Sequence, residues 1–346
     1  MSLFFTYRKR GQFFLGFLFL AIVALSLFYF WFSRPEHGSL FSEEYWAQHI
    51  IESGIKNTYA DFVHSHSKVP ILRQHFFEHV FGGALYRQGN IEALSLCGEG
   101  LFYGCIHEFV GRHIAEEGIA SISSIALACE ETTLNKSVCM HSLGHGVLAH
   151  FGYHTSDLKE ALATCDVVSS NNIEDMLGGC HAGVFMEFNL RTMMGEGNIR
   201  SSKEGAISPC TELDDLYWMS CAFRLPQWWE YEFIDVTDKK LAEELGNRCM
   251  LVPDMYRSAC FQGIGNVLID NTGFDLGDSG KLCDMSTEEK EYGMMCRTQA
   301  FVSKGFLKGV NSSDIEAACE NLPYEEGYYC EGALSDILEL NTQNTK

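Results

Sequence analysis

The sequence predicts an all-α fold: an α/α solenoid of about seven to eight two-helix repeats with one disulfide per repeat, preceded by a single transmembrane helix. Two observations carry the repeats. The 14 cysteines fall into seven short-range pairs, and the second member of each pair recurs at steps of 34, 41, 41, 39, 36 and 34 residues. That period belongs to helix pairs that stack into solenoids. A third observation, an unbroken apolar run near the start, carries the membrane helix.

Residues 1–12 read as a cytoplasmic tail, because Arg8, Lys9 and Arg10 stand just before the apolar run and basic residues hold the cytoplasmic side. Residues 13–33 read as a transmembrane signal anchor. Phe13 to Phe32 holds no charge over 20 residues, enough to cross a hydrocarbon layer of roughly 30 Å as a helix. The run ends in Tyr29, Phe30, Trp31 and Phe32, aromatics suited to a membrane interface rather than to a leader-peptide cleavage site. Everything after Arg34 is then expected in the periplasm, a lumen or the extracellular space. Cysteine usage agrees, since this many paired cysteines suit an oxidising compartment.

Residues 38–69 read as a juxtamembrane helical cap, helical through Glu43 to Val63. The repeats follow over 70–338, and residues 339–346 form a polar, flexible tail. Within the repeats, spacing pairs Cys97 with Cys105, Cys129 with Cys139, Cys165 with Cys180, Cys210 with Cys221, Cys249 with Cys260, Cys283 with Cys296 and Cys319 with Cys330. No C-x-x-C occurs, which argues against structural zinc held by these cysteines. In one unit, Ser156 and Asp157 offer an N-cap, and Leu158, Ala161, Leu162 and Cys165 fall at i, i+3, i+4 and i+7, one buried helical face. Ile315 to Cys319 and Leu241 to Cys249 repeat that grammar. Each disulfide is therefore expected to tie the end of one repeat's second helix to the start of the next repeat's first helix.

After the second cysteine the consensus is C-x-x-G-x-G, as in Cys260, Gly263 and Gly265, where small residues let helices approach closely. A first unit without cysteine begins near residue 70, with Arg73 in the cysteine's place and His75 to Cys97 mimicking His141 to Cys165. Helix pairs of thirty-odd residues with one disulfide each resemble the Sel1-like family, above all its cysteine-rich secreted bacterial members. The resemblance implies a tetratricopeptide-like α/α solenoid over roughly residues 70 to 338 and carries over no functional residue.

Chemistry concentrates in the N-terminal half. All 13 histidines lie between His37 and His181. Counted from the aligned cysteine, the second and sixth positions hold His75 and His79, then His107 and Gly111, then His141 and His145. An i, i+4 pair shares one helical face, and stacked helices 8–10 Å apart bring these imidazoles into a column. Histidine is the commonest transition-metal ligand, so His75, His79, His107, His141 and His145 are the candidate ligands for zinc, copper or iron. Haem is the lesser alternative, since no C-x-x-C-H attachment site exists. Glu78 and Glu108 flank the column as candidate oxygen ligands, histidine orienters or a catalytic base beside a metal-bound water. His113, His150, His154 and His181 point elsewhere on the helical wheel.

Beyond Arg34 stand all 46 acidic residues and 21 of the 25 basic ones, a balance that disfavours nucleic acid as a partner. Two function classes follow. One is a membrane-anchored metal protein, carrier or enzyme. The other is a scaffold gripping a protein partner on the solenoid surface, for which Trp218, Trp228, Trp229 and Tyr231 could be anchors, though such a cluster also suits a core.

Overall fold

A computed structural model describes residues 42–66, 71–89, 91–97, 103–131, 136–169, 178–195, 205–233 and 235–305. The described residues form 13 α-helices and no strand, an all-α arrangement. In chain order these are α1 (Glu43–Ser53), α2 (Ile55–His66), α3 (Ile71–Gln88), α4 (Gly104–Glu117), α5 (Ile122–Glu131), α6 (Lys136–Phe151), α7 (Thr155–Cys165), α8 (Cys180–Met193), α9 (Trp218–Glu232), α10 (Asp238–Cys249), α11 (Asp254–Asn271), α12 (Leu276–Ser286) and α13 (Lys290–Gly305).

Local chemistry sets the boundaries. Ser42, Thr237 and Asp275 accept main-chain N–H bonds as N-caps of α1, α10 and α12, satisfying donors that a helix start leaves unpaired. Gly54 at φ 78° and Gly118 at φ 77° end α1 and α4 in a conformation that favours glycine. The stretch from Glu43 to Val63 is thus two helices broken at Gly54, not one. α1 packs on both α2 and α3, so a packed helix pair precedes residue 70.

The helices form two layers. α1, α3, α4, α6, α8, α9, α11 and α13 pack in that order, each on the next, and α2, α5, α7, α10 and α12 cover one side. The second-layer faces are those read from sequence: Leu158, Ala161, Leu162 and Cys165 are all buried on α7, and Leu241, Leu245 and Cys249 on α10. In two steps the described covering residues form the 3-10 segments Ile91–Leu96 and Cys210–Glu212.

Six disulfides join consecutive steps: Cys97–Cys105, Cys129–Cys139, Cys165–Cys180, Cys210–Cys221, Cys249–Cys260 and Cys283–Cys296. Five link the end of a covering segment to the first turns of the next first-layer helix, and Cys210–Cys221 does so from the first residue of its 3-10 segment. Cys319 and Cys330 lie outside the described residues, as do segment 13–33 and the tail 339–346. Among the described residues no helix is long and apolar enough to cross a membrane. Trp218, Trp228 and Trp229 are core residues, 7, 6 and 0 % exposed, which removes them as interface anchors; only Tyr231 of that group is open, at 46 %.

The glycine rule has a spatial meaning. A Cβ on Gly144 would sit 2.0 Å from the Cys180 carbonyl oxygen of the following helix, and one on Gly265 would sit 2.0 Å from that of Cys296. A Cβ on Gly183 or Gly263 would instead strike the preceding helix, at the carbonyls of His141 and Phe223, 2.0 and 2.1 Å away. The fifth residue after the cysteine thus faces forward and the third faces backward. Gly82 obeys the forward rule, its Cβ position lying 2.4 Å from the Cys105 carbonyl. That contact corrects the alignment of the first unit: Phe77, not Arg73, occupies the cysteine's position. His79 therefore lines up with His107 and His141, and His75 falls one turn earlier.

Candidate functional site

With that register, His79 on α3, His107 on α4 and His141 on α6 occupy the same position of three successive first-layer helices. Their ring centres are 5.8 Å apart from His79 to His107 and 6.2 Å from His107 to His141. His145, one turn further along α6, closes a triangle: its ring centre is 4.7 Å from that of His107 and 4.9 Å from that of His141. Three imidazoles on one tetrahedral ion, each nitrogen about 2.0–2.1 Å from the metal, place their ring centres about 5 Å apart. Among the described residues, however, no three His, Cys, Asp or Glu side chains stand in metal-holding geometry. The side chain of His75 lies outside the described residues.

A carboxylate from the next first-layer helix orients two of the rings. His79 Nδ1 lies 3.2 Å from Glu108 Oε2, and His145 Nδ1 lies 2.8 Å from Glu187 Oε2. Each carboxylate also accepts from an arginine one turn along its own helix: Arg112 Nε donates to Glu108 at 2.7 Å and Arg191 Nε to Glu187 at 2.6 Å. Burial alone would raise both carboxyls, but the bonds from histidine and arginine hold Glu108 and Glu187 below the ordinary range. An ionised carboxylate only accepts, so Nδ1 of each histidine carries the hydrogen, and in the neutral ring the lone pair sits on Nε2. Among the described residues, Nε2 of His145, a residue 9 % exposed, has no hydrogen-bond partner.

The two histidine–glutamate–arginine sets share a sequence signature that a search for imidazoles alone passes over. Glu108-Phe109-Val110-Gly111-Arg112 and Glu187-Phe188-Asn189-Leu190-Arg191 are both E-F-x-x-R, with the phenylalanine buried in the core each time. In the first set Arg112 also grips both carboxylate oxygens of Glu43, at 2.9 and 2.7 Å, fastening α4 to α1.

Met186 is the other residue that histidine counting misses. Its Sδ is 3.3 Å from His141 Nε2, so the ladder continues onto α8 in a thioether. His141 is only partly buried as a residue, yet loss of hydration pushes its ring well below the usual histidine range, with repulsion from His145 and Arg224 adding to the effect. Its imidazole is therefore neutral at physiological pH, the form that binds metals. Arg224 on α9 is buried, 8 % exposed, and burial pushes its guanidinium down to about 10.

Other candidates sit elsewhere. Glu78 is 1 % exposed and accepts from Gly104 N at 3.0 Å, at the first residue of α4, a capping position. Glu108 does face the ladder. His181 is fully buried at the α7–α8 junction, its Nε2 2.9 Å from Asp166 Oδ1, while the Tyr217 hydroxyl donates to Asp166 Oδ2 at 2.7 Å. His66 packs among Trp46, Phe62 and Phe77. His154 opens α7 in a capping box with Asp157, and the ring of His113 lies 6.1 Å from that of Tyr86.

Comparison with known proteins finds no matching family model, no matching curated protein and no matching solved structure.

Proposed function

We propose that this chain is a membrane-anchored, extracytoplasmic metal-binding protein. In this reading segment 13–33 is the anchor, and the helical stack continues through residue 338 as an α/α solenoid of seven to eight repeats. A transition-metal ion is held by imidazoles of the ladder. One observation carries the reading: His107, His141 and His145 crowd to centre spacings of 4.7, 4.9 and 6.2 Å. At such spacings three protonated rings would repel one another, whereas three neutral rings sharing a cation suit them. The carboxylates support it. Glu187 behind His145 and Glu108 behind His79 are the outer partners that ligating histidines recruit to fix tautomer and raise basicity. Six disulfides support an oxidising compartment.

The test is elemental analysis of the purified full-length chain beside His141→Ala and His145→Ala. Stoichiometric metal in the parent and its loss in both variants supports the reading. Metal-free protein from a metal-replete source, unable to take up zinc, copper or iron afterwards, removes it.

A second reading, a scaffold for a protein partner, has its own observation. Met250, Leu251 and Met255 at the α10–α11 turn are 38, 60 and 72 % exposed, and methionine-rich apolar surface is adaptable interface material. Capture of a partner that Leu251→Asp abolishes, with no metal bound, would favour it.

A further inference from the structure

Resting on the metal-binding reading, we infer that the ion is cuprous copper, held by Met186 together with His141, His145 and His107. Four features of the site point to that ion rather than to zinc or iron.

The first is the donor pair His141 Nε2 and Met186 Sδ, 3.3 Å apart across the α6–α8 seam. Donors about 2.0 Å (nitrogen) and about 2.3 Å (sulfur) from one ion subtend 3.3 Å at roughly 100°, so the two atoms already have the separation of neighbouring ligands. The seam fixes it. Gly144 lies against the Cys180 carbonyl and Gly183 against that of His141, at separations no side chain could enter, and Cys165–Cys180 staples the same junction. A thioether is a soft donor that selects Cu(I), while zinc and ferrous iron draw little from it.

The second is charge. The proposed donors include no carboxylate, since Glu187 takes up Nδ1 of His145 and Glu108 takes up that of His79. With no anionic donor in the set, a monovalent ion needs less compensation there than a divalent one.

The third is the state of the thiols. Every cysteine among the described residues is in a disulfide, so there the soft ligation falls to methionine. The fourth is His145, whose buried Nε2 has no partner among the described residues and whose Nδ1 hydrogen is committed to Glu187, an imidazole set for donation.

The test uses the full-length chain in detergent, without oxygen, with ascorbate as reductant so that the disulfides survive. Cu(I) affinity is measured by competition with bicinchoninate and Zn(II) affinity with a zinc chelator, for the parent and for Met186→Leu, a volume-conserving change. X-ray absorption on the copper-loaded parent, which needs no variant, reports whether sulfur is bound. The expected results are one Cu(I) per chain, a sulfur neighbour at about 2.3 Å, and a Met186→Leu chain weakened for Cu(I) by about tenfold or more with zinc binding little changed. Metal binding without a sulfur neighbour, or with equal losses for both ions, overturns the cuprous assignment and leaves the metal-binding reading standing. Failure of the parent to bind copper overturns the cuprous assignment, and failure to bind copper, zinc or iron overturns both.

Discussion

Adding a single methyl group at Gly144 is the sharpest test of how the stack is held together. A Cβ there would lie 2.0 Å from the Cys180 carbonyl oxygen and 2.7 Å from Val184 N. Both obstacles are backbone, so no side chain can swing aside. Ordinary contact begins near 3.4 Å, and α6 and α8 must part by about 1.4 Å to regain it. Overpacking of this kind costs about 1–3 kcal/mol, against a helix-propensity gain for Gly→Ala of about 0.5–1 kcal/mol. The control is Gly111→Ala, mid-helix in α4, where an added Cβ meets nothing within 4 Å and only the propensity gain remains. The two variants should differ by roughly 1–3 kcal/mol, or about 1–4 °C in melting temperature for a chain of this size. Thermal unfolding followed by circular dichroism at fixed pH reads the difference. A Gly144→Ala chain that melts with or above Gly111→Ala would show that the helices do not touch where the glycine rule places them.

Three further outcomes follow. Replacing Cys165 and Cys180 together by alanine opens a bridge with a sequence separation of 15, and should cost about 3 kcal/mol in denaturant unfolding; an unchanged midpoint would remove that staple from the stability of the stack. Glu78→Ala leaves the Gly104 N–H without its carboxylate and should cost about 1–2 kcal/mol with metal content unchanged, whereas lost metal with intact stability would return Glu78 to the site. Burial holds the His66 imidazole below its usual range, partly offset by its bond to the Phe62 carbonyl. The unfolded chain therefore takes up that proton first as pH falls, so stability present above the ordinary value near 6.5 is lost on descent through it. His66→Phe should flatten the fall in melting temperature between pH 7 and 5, and an undiminished slope would place the effect in other groups.

Much of the fold was legible because covalent and periodic signals are local. Cysteine spacing paired six bridges correctly, and the 3.6-residue periodicity of Leu158 to Cys165 marked its buried face, since both depend on near neighbours in sequence. The register of the first unit was not legible in the same way. Without a cysteine, Arg73 and Phe77 differ by one turn and preserve the same helical face; only the approach of Gly82 to Cys105 across two helices separates them. The break at Gly54 escaped because the apolar positions continue through it. In the site, histidine recurrence located the ladder on His79, His107, His141 and His145. It passed over Met186 and Glu187, whose roles arise from the helix beyond the last column histidine. The recurring E-F-x-x-R was the available signal for Glu187 and Arg191. Nothing comparable marks Met186, which earns its place only through its distance to His141.

The most direct measurement is anomalous scattering from crystals of the full-length chain equilibrated with one equivalent of metal ion, at the absorption edge of that ion. The account requires a single strong peak enclosed by His107, His141 and His145, within bonding reach of their ring nitrogens. A peak at a remote surface carboxylate, or an ordered imidazole cluster with no peak, would contradict it.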